Sequence, residues 1–275
     1  MDSAGQYLAL IDALAGRRVA GVGDLLADEF VYGRVARVSR EAPVLILEYD
    51  STEIVAGGAG NAANNVTTLG GRARLAAIVG RDEAATRLLA ALEQGVDRRN
   101  VVRVNGTVTP VKTRILAGGI HSAKQQVVRI DRGVRASIDG VMREAFQRAA
   151  VRAVTRVDAV LVSDYGSGLI NPRLVAQLRA AAREDGPVPI LIDTRYRLLE
   201  YRGLTASTPN ESEVEQALGI KINDSMRVLE RAGREILERT RMQAVLMTRG
   251  SRGMALFQPG EPTVHIPISG LDEIA

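Results

Sequence analysis

The sequence predicts an α/β fold: a mostly parallel central sheet with helices on both faces, and a separate small β-sheet. Two observations lead to this prediction. From residue 18 onward, short apolar runs alternate with helical patterns, which is typical of parallel strands joined by crossover helices. Residues 33–50 and 110–131 instead alternate apolar and polar side chains like hairpins. Because such segments do not fit inside a parallel sheet, we assign them to the small sheet.

The first half of the chain repeats the order strand, then helix. A strand over residues 18–23 ends in glycine and leads into a loop, and residues 54–60 form a Gly-rich turn. A helix over residues 61–69 is closed by Gly70 and Gly71. A strand over 73–79 and a helix over 82–94, ended by Gly95, follow the same pattern.

The same alternation resumes at residue 138 with a helix that extends to about residue 155. The elements predicted after it are a strand over 158–163, a helix over 172–184, strands over 188–193 and 204–207, helices from Pro209 and Ser225, and strands over 244–248, 254–258 and 263–268. No repeat, low-complexity tract or linker separates a second domain, so the prediction is one domain over residues 1–275.

Composition supports a globular protein of 275 residues, with 46% hydrophobic and 25% charged residues. Aromatic residues are 3% and Trp is absent, so the core must consist of Val, Leu, Ile and Ala. No apolar run approaches the ~20 residues that a membrane helix needs, and the N-terminus lacks signal-peptide features. We therefore expect a cytoplasmic protein with no membrane partner. The absence of cysteine excludes disulfides, thiolate zinc sites and cysteine nucleophiles.

The formal net charge of +4 is a mild excess, with arginines scattered among carboxylates. No basic stripe is interleaved with aromatic residues, so a nucleic-acid partner is not expected. A modest positive field also suits phosphorylated small molecules.

Two candidate binding segments follow the first strand and the first hairpin-like segment. Asp24 comes directly after a predicted strand, where a carboxylate can accept hydrogen bonds from two sugar hydroxyls. A turn or N-cap aspartate is the alternative interpretation. In residues 56–61, Gly57 and Gly58 let the backbone approach a ligand, and Asn61 offers a donor and an acceptor near a helix start. A plain tight turn explains these glycines equally well.

Two later segments could bind phosphate and a metal ion. Asn210 and Glu213 are three residues apart, so both are expected on one helix face, where they could hold hydrated Mg²⁺. A capping box is the alternative. Thr248, with Gly250 and Gly253, follows a strand and could form an anion nest for nucleotide phosphates, or an ordinary turn between two strands.

Residues 164–168, Asp-Tyr-Gly-Ser-Gly, and Asp193 also end strands at the expected ligand edge of the sheet.

The order of these motifs resembles that of the ribokinase-like (PfkB) carbohydrate kinases. The motifs are GD after the first strand, the Gly-rich segment with Asn, DYGSG, LID, TPNESE and TRGSRG. Within the family, the likeness is greatest to heptose 7-phosphate 1-kinases of ADP-heptose synthesis, the precursor pathway of the lipopolysaccharide core. It is carried by GDLLADEFVYGRVARVSREAPV, AGGAGNAANNVTTLGG, VKTRIL, QQVVRID, LVSDYGSG, TPNESEVE and MTRGSRGMAL. The resemblance covers about residues 17 to 270.

The resemblance implies a three-layer ribokinase-like fold and transfer of the γ-phosphoryl group of ATP to a sugar hydroxyl, with Mg²⁺. The implied sugar-binding residues are Asp24, Asp28, Gly57, Gly58 and Asn61, and Lys112, Arg114 and Arg129 are candidates to contact a substrate phosphate. Salt bridges explain these three cations equally well. The implied nucleotide-site residues are Asp193, Asn210, Glu213, Thr248, Gly250 and Gly253, with Asn210 and Glu213 organising Mg²⁺. Segments 33–50 and 110–131 would form a lid over a sugar phosphate and a homodimer interface.

The resemblance breaks at the C-terminal end. Family members carry a Gly-Ala-Gly-Asp segment after the strand at 263–268, and its aspartate is the general base, whereas this chain ends SGLDEIA. Asp272 and Glu273 are the carboxylates nearest that position, but the glycines are missing. We therefore expect that this chain lacks the catalytic base and that the domain is incomplete.

Two alternatives stay open at this point. Another PfkB sugar or nucleoside kinase fits the same motifs. A non-catalytic module that binds a sugar or nucleotide fits the missing base. A dinucleotide-binding oxidoreductase is disfavoured, because no Gly-x-Gly-x-x-Gly follows the first strand.

Overall fold

A computed structural model describes residues 3–118, 124–133, 138–183 and 186–268. The strands are β1 Arg18–Gly23, β2 Leu25–Val38, β3 Leu45–Gly58, β4 Arg72–Gly80, β5 Val96–Val104, β6 Val111–Gly118, β7 Gln125–Arg132, β8 Ala159–Asp164, β9 Ile190–Thr194, β10 Ala206–Ser207, β11 Ala244–Thr248, β12 Met254–Phe257 and β13 Val264–Ile266. The helices are α1 Ser3–Asp12, α2 Ala59–Thr68, α3 Glu83–Ala90, α4 Gly140–Ala153, α5 Pro172–Ala182, α6 Glu211–Leu218 and α7 Met226–Thr240. Of the helices within these ranges, none is long and apolar enough to cross a membrane.

The large sheet has nine strands in the order β13-β12-β11-β10-β9-β8-β1-β4-β5. Neighbouring strands from β5 to β11 run parallel, and β12 and β13 add an antiparallel edge. Strand β1 lies where the order reverses, with β4 on one side and β8 on the other. In open parallel sheets a ligand crevice forms beyond the carboxyl ends of the strands at such a reversal. The topology therefore places the candidate site beside Gly23 and Asp164.

Alternate residues of β4 show that helices cover both faces of this sheet. Ala76 and Ile78 belong to a core cluster with Phe146 of α4 and residues of α5. Leu75 and Val79 belong to a second cluster with residues of α2 and α3. Because successive strand side chains point to opposite faces, two separate cores on one strand require three layers. The predicted α/β fold with helices on both faces is confirmed.

The small sheet has four strands in the order β3-β2-β6-β7, and we call it the lid. It is longer than predicted, because β2 begins at Leu25 and β3 ends at Gly58, with Leu25 opposite Gly58. The predicted loop after residue 23 and the predicted turn at 54–60 are therefore wrong. Only Asp24 separates β1 from β2, so at this point the chain passes from the large sheet to the lid through a single residue. The turn predicted at Gly118 and Gly119 falls partly on residues 119–123, outside the described ranges.

Two elements were not predicted from the sequence. Strand β5, VDRRNVVRV, carries four charged residues, three of them in its first half, and it lies at the edge of the large sheet. Helix α1 exposes apolar side chains such as Tyr7 and Leu10 and lacks a polar face to mark it as amphipathic. Several predicted helix starts are confirmed by side-chain caps, including Asp82 for α3 and Ser225 for α7.

Candidate active site

Two adjoining pockets lie at the carboxyl ends of the large sheet. The first lies between that sheet and the lid, and its lining includes Asp24, Lys112, Arg129, Asp131, Tyr165 and Arg195. The second is polar and is lined by Asp164, Tyr165, Asp193, Arg195, Thr208, Asn210, Glu213 and Thr248. Tyr165 and Arg195 line both pockets, so the two spaces are neighbours.

Asp24 is held at the point where β1, β8 and the lid meet. Its carboxylate accepts hydrogen bonds from the backbone N–H of Tyr165 at 2.7 Å and of Ser167 at 3.4 Å, and from the Ser167 hydroxyl. Its own carbonyl accepts the N–H of Ala59 at 2.9 Å, at the start of α2. Burial raises the pKa of Asp24 above its ordinary value, although these hydrogen bonds act in the opposite direction. Asp24 thus fastens the loop after β8 beside the first pocket.

Strand register places the lid side chains named from the sequence on one face. Asp28 lies opposite Lys112, which lies opposite Asp131, and Arg114 lies opposite Arg129. Side chains two residues apart, or directly opposite on neighbouring strands, point to the same side of a sheet. Lys112, Arg129 and Asp131 from this set line the first pocket. The structure therefore brings the predicted Asp28, Lys112, Arg114 and Arg129 together on one lid face, with Asp131, which was not predicted, beside them.

Most of the charges on this face are paired with one another. Arg114 forms an ion pair with Asp28, and Arg129 with Asp131 at 2.7 Å. The salt-bridge interpretation left open from the sequence is what the structure shows for both arginines. Gly57 lies beside the first of these pairs. A Cβ there would collide with the Asp28 carboxylate, so glycine leaves room for the carboxylate.

Lys112 differs from the paired arginines. Its side chain is 9% exposed, and its ammonium lies 5.4 Å from the centre of the Tyr165 ring. Across the ranges that the structure describes, it has no hydrogen-bond or ion-pair partner beyond this ring. Burial lowers its pKa, and the positive charge of Arg195 lowers the pKa further. The charges of Asp28 and Asp131 act in the opposite direction, but both carboxylates are already paired with arginines. A buried cation with only this partial compensation favours an anion in the first pocket.

The lid is fastened to the body of the protein through its opposite face. The buried Glu29 accepts a hydrogen bond from Thr113 at 2.6 Å and forms ion pairs with Arg132 at 3.2 Å and Arg87 of α3 at 3.1 Å. Buried carboxylates of this kind fix geometry, because removing a partner leaves an uncompensated charge. Glu29 thereby helps to hold the Lys112 face over the pocket.

The second pocket contains the predicted Asn210 and Glu213, arranged as a capping box at the start of α6. The Glu213 N–H donates to Asn210 Oδ1 at 2.9 Å, and the Asn210 N–H donates to Glu213 Oε2 at 2.9 Å. Asn210 is the N-cap, so the prediction that both residues project from one helix face is wrong for Asn210. Glu213 Oε1 remains outside the capping pair. Burial raises the pKa of both Glu213 and Asp193.

Tyr165 forms the wall between the two pockets. Its hydroxyl donates to Asp193 at 3.4 Å, and burial together with the Asp193 charge raises its pKa to about 12. Tyr165 is therefore a neutral hydrogen-bond donor at physiological pH.

Thr248 lines the second pocket, whereas Gly250 and Gly253 belong to a tight turn between the antiparallel β11 and β12. The N–H groups of Arg249 and Gly253 donate to carbonyls within the turn, which leaves fewer amides for an anion nest than predicted. Glu211 braces the turn through ion pairs with Arg249 at 2.7 Å and with Arg252.

Some predicted residues do not line either pocket. Asn61 is exposed on α2, and Gly58 is the N-cap of that helix with φ 60°. The predicted base position falls in residues 269–275, outside the described ranges. Arg195 was missed, although it follows β9 only two residues after Asp193, and a strand end at the ligand edge was the available signal.

The sequence model of the pfkB family of carbohydrate kinases matches residues 25–269 of this chain. The chain belongs to the pfkB carbohydrate kinase family. This confirms the resemblance inferred from its motifs, and members of this family are phosphotransferases that act on carbohydrates.

Curated pfkB relatives include the bifunctional protein HldE of Geobacter metallireducens, which is 40% identical over 248 residues. This match covers 90% of the chain and 49% of the relative. HldE of Azorhizobium caulinodans is 36% identical over 255 residues, covering 90% of the chain and 51% of the relative. The chain thus spans about half the length of the curated relatives it matches.

Solved structures of a phosphofructokinase and a ribokinase share the fold. Phosphofructokinase-2 from Escherichia coli in complex with fructose-6-phosphate superimposes with a TM-score of 0.70 at 14% identity, covering 95% of this chain and 82% of the other. Arabidopsis thaliana ribokinase complexed with ribose and ATP superimposes with a TM-score of 0.63 at 20% identity, covering 94% and 80%. These likenesses establish the ribokinase-like fold.

Proposed function

We propose that residues 1–275 form an ATP-dependent sugar kinase domain that transfers the γ-phosphoryl group of ATP to a hydroxyl of a sugar phosphate. The observation that carries this proposal is Lys112, a buried cation without an ion-pair partner among the described residues, in a pocket between lid and sheet. The second pocket, which is lined by carboxylates, adjoins this first pocket. Family membership supports the reaction class. The motif resemblance supports heptose 7-phosphate as the acceptor and position 1 as the hydroxyl phosphorylated.

In this proposal the first pocket binds the acceptor. Lys112 contacts the substrate phosphate, because a charge-assisted contact there relieves the desolvated ammonium. Asp28 binds sugar hydroxyls, since one carboxylate can accept from two of them at once. Arg114 and Arg129 lie on the same lid face. When the acceptor binds, contacts to it replace part of their ion pairing with Asp28 and Asp131.

The second pocket binds the phosphates of ATP and Mg²⁺. Hydrated Mg²⁺ needs only one or two protein carboxylates, and Asp193 and the free Oε1 of Glu213 supply that donor type. When bound, Mg²⁺ neutralises charge on the phosphate oxygens. Thr248, Gly250 and Gly253 border the nucleotide, and Tyr165 separates it from the acceptor. The raised pKa values of Asp193 and Glu213 fit a site that is completed by a cation.

The reaction is tested by ADP release from the full-length protein with ATP, Mg²⁺ and either heptose 7-phosphate, fructose 6-phosphate or ribose. We expect turnover with phosphorylated sugars to exceed that with ribose, and Asp28→Asn to lower kcat/KM for the sugar phosphate by about 100-fold. The matched control is Glu48→Gln, an exposed lid carboxylate, which should change kcat/KM by less than about twofold.

Two results would count against this function. ADP release with ribose alone would favour the alternative that this is another sugar or nucleoside kinase of the family. Binding of sugar phosphate and nucleotide by calorimetry without any ADP release would favour a non-catalytic binding module.

We also propose that the lid forms a homodimer interface. The side chains of β7 are exposed along its whole length, including Val128 and Ile130 on the face that points away from the pocket. Exposed apolar strand surface is typical of an interface. Val128→Lys should convert a dimer into a monomer by size-exclusion chromatography with light scattering. Leu8→Lys, at a more exposed apolar position on α1, should leave the mass unchanged. A monomeric wild-type protein would refute the interface.

A further inference from the structure

Arg195 occupies the junction between the two pockets. It follows β9, whose carboxyl end faces the ligand crevice, and it lines the first and the second pocket. Lys112, the other cation near this point, lines the first pocket but not the second. The two cations are therefore placed differently with respect to the two substrates.

The Arg195 side chain differs from that of a neighbouring arginine in its contacts. In the described part of the chain, its guanidinium has no ion pair and no hydrogen-bond partner. The nearby Arg197, by contrast, donates to Glu200 at 3.0 Å. A guanidinium is a fork of five donors that fits phosphate oxygens in pairs. Arg195 thus has its full donor set available at the junction.

The charges that face Arg195 come from both pockets. Its positive charge acts to lower the pKa of Asp193, Glu213 and Tyr165 on one side and of Lys112 on the other. Arg195 and Lys112 are therefore two like charges close enough to repel each other, while Asp28 and Asp131 act on Lys112 and Asp193 and Glu213 act on Arg195. A multiply charged anion at the junction would interact favourably with both cations.

We propose that Arg195 binds the phosphoryl group in flight between the nucleotide and the acceptor, a role that rests on the kinase function proposed above. In the transfer, the bond from the γ-phosphorus to its bridging oxygen breaks and its electron pair stays on ADP. A new bond forms to the acceptor oxygen, and the hydroxyl proton is released to solvent. Negative charge spreads over the phosphoryl oxygens during this step, and a cation at the junction stabilises it. Lys112 keeps the separate role of binding the acceptor's own phosphate.

The test compares calorimetric binding of ADP and of a non-hydrolysable ATP analogue, each with Mg²⁺, to the full-length protein. Arg195→Gln should weaken binding of the ATP analogue by about 10- to 100-fold while changing ADP affinity by less than about threefold, because only the analogue carries a γ-phosphate. Arg195→Lys should restore part of the loss. Arg202→Gln removes the same charge from an exposed position that lines neither pocket, and it should change neither affinity.

The outcomes separate this inference from the proposed function. Suppose that the wild-type protein binds nucleotide and transfers phosphate. If Arg195→Gln then weakens the binding of ADP and of the ATP analogue equally, or weakens the binding of neither, the Arg195 role is wrong and the kinase function stands. A selective loss of sugar-phosphate affinity would instead assign Arg195 to the acceptor and overturn the inference. If the wild-type protein binds neither nucleotide, both proposals fall.

Discussion

Replacing Lys112 with methionine is expected to weaken binding of a sugar phosphate by about 10- to 100-fold and, in the same variant, to raise stability by about 0.5–2 kcal/mol. The two effects have one cause. The ammonium is buried and lacks an ion-pair partner in the described residues. The nearby carboxylates of Asp28 and Asp131 are already paired with arginines, so they compensate its charge only in part and a bound anion would compensate it further. Methionine fills a similar volume without that charge. Calorimetric titration with heptose 7-phosphate and urea denaturation of the unliganded protein measure the two effects.

The gain in stability should depend on pH in a defined direction. Burial, and then the charge of Arg195, lowers the pKa of Lys112 below its ordinary value of 10.5, so the folded state releases this proton before the unfolded state does. The stability of the wild type therefore rises relative to Lys112→Met as pH increases through the lowered pKa toward 10.5. The stability gained by Lys112→Met over the wild type is largest at pH values below the lowered pKa. It disappears at pH values above the pKa that Lys112 has in the unfolded state.

Lys221→Met serves as the matched control, because Lys221 is exposed and pairs with Glu215 at 3.0 Å. It should leave sugar-phosphate binding unchanged and should not stabilise the protein. A Lys112→Met variant that binds sugar phosphate as well as the wild type would mean that the first pocket does not hold a phosphate. A variant that loses stability would mean that the ammonium is compensated in the folded state.

The large sheet could be predicted because its strands carry their own signal. Runs such as residues 244–248 are apolar and are followed by glycine or polar residues, and the predicted strand coincides with β11. The start of the lid gave no such signal. Asp28 and Glu29 lie side by side in β2 and are tolerated there because partners from distant segments, Arg114 and Arg87, neutralise them. When the ion-pair partners of a strand's charged residues are distant in sequence, the strand's own residues have the composition of a loop.

Some features of the candidate site could likewise be predicted from the sequence, and others could not. Strand ends are local features, so Asp24, Asp193 and Thr248 could be named before the fold was known. Whether Asn210 and Glu213 form a capping box or face a ligand depends on rotamers, and the structure shows the cap. The isolation of Lys112 and of Arg195 cannot be read from sequence at all. It depends on which carboxylates the folded chain places within reach, and those come from several strands.

Replacing Gly23 with alanine should have the largest effect on stability, about 3 kcal/mol or more of lost free energy of unfolding. Gly23 ends β1 with φ 150°, a conformation that L-residues avoid, and it lies opposite Ser163 of β8. A Cβ at this position would lie 2.8 Å from the Ser163 carbonyl carbon and closer still to its oxygen. Because the obstacle is backbone inside a parallel sheet, neither strand can move away without breaking the ladder.

Gly21→Ala provides the control, since it places the same methyl group on the same strand two residues earlier. The nearest atoms to a Cβ there are the Ala59 carbonyl oxygen at 3.5 Å and a Leu75 methyl at 3.8 Å, which are ordinary contacts. Urea denaturation should show a change within about 1 kcal/mol for Gly21→Ala. Equal stability of the two variants would mean that β1 and β8 are not packed as described.

Because Asp24 donates its N–H to Ser163 at 3.0 Å, any shift of Gly23 also displaces the residue that holds the loop after β8. Any Gly23→Ala protein that still folds should therefore bind sugar phosphate more weakly than Gly21→Ala.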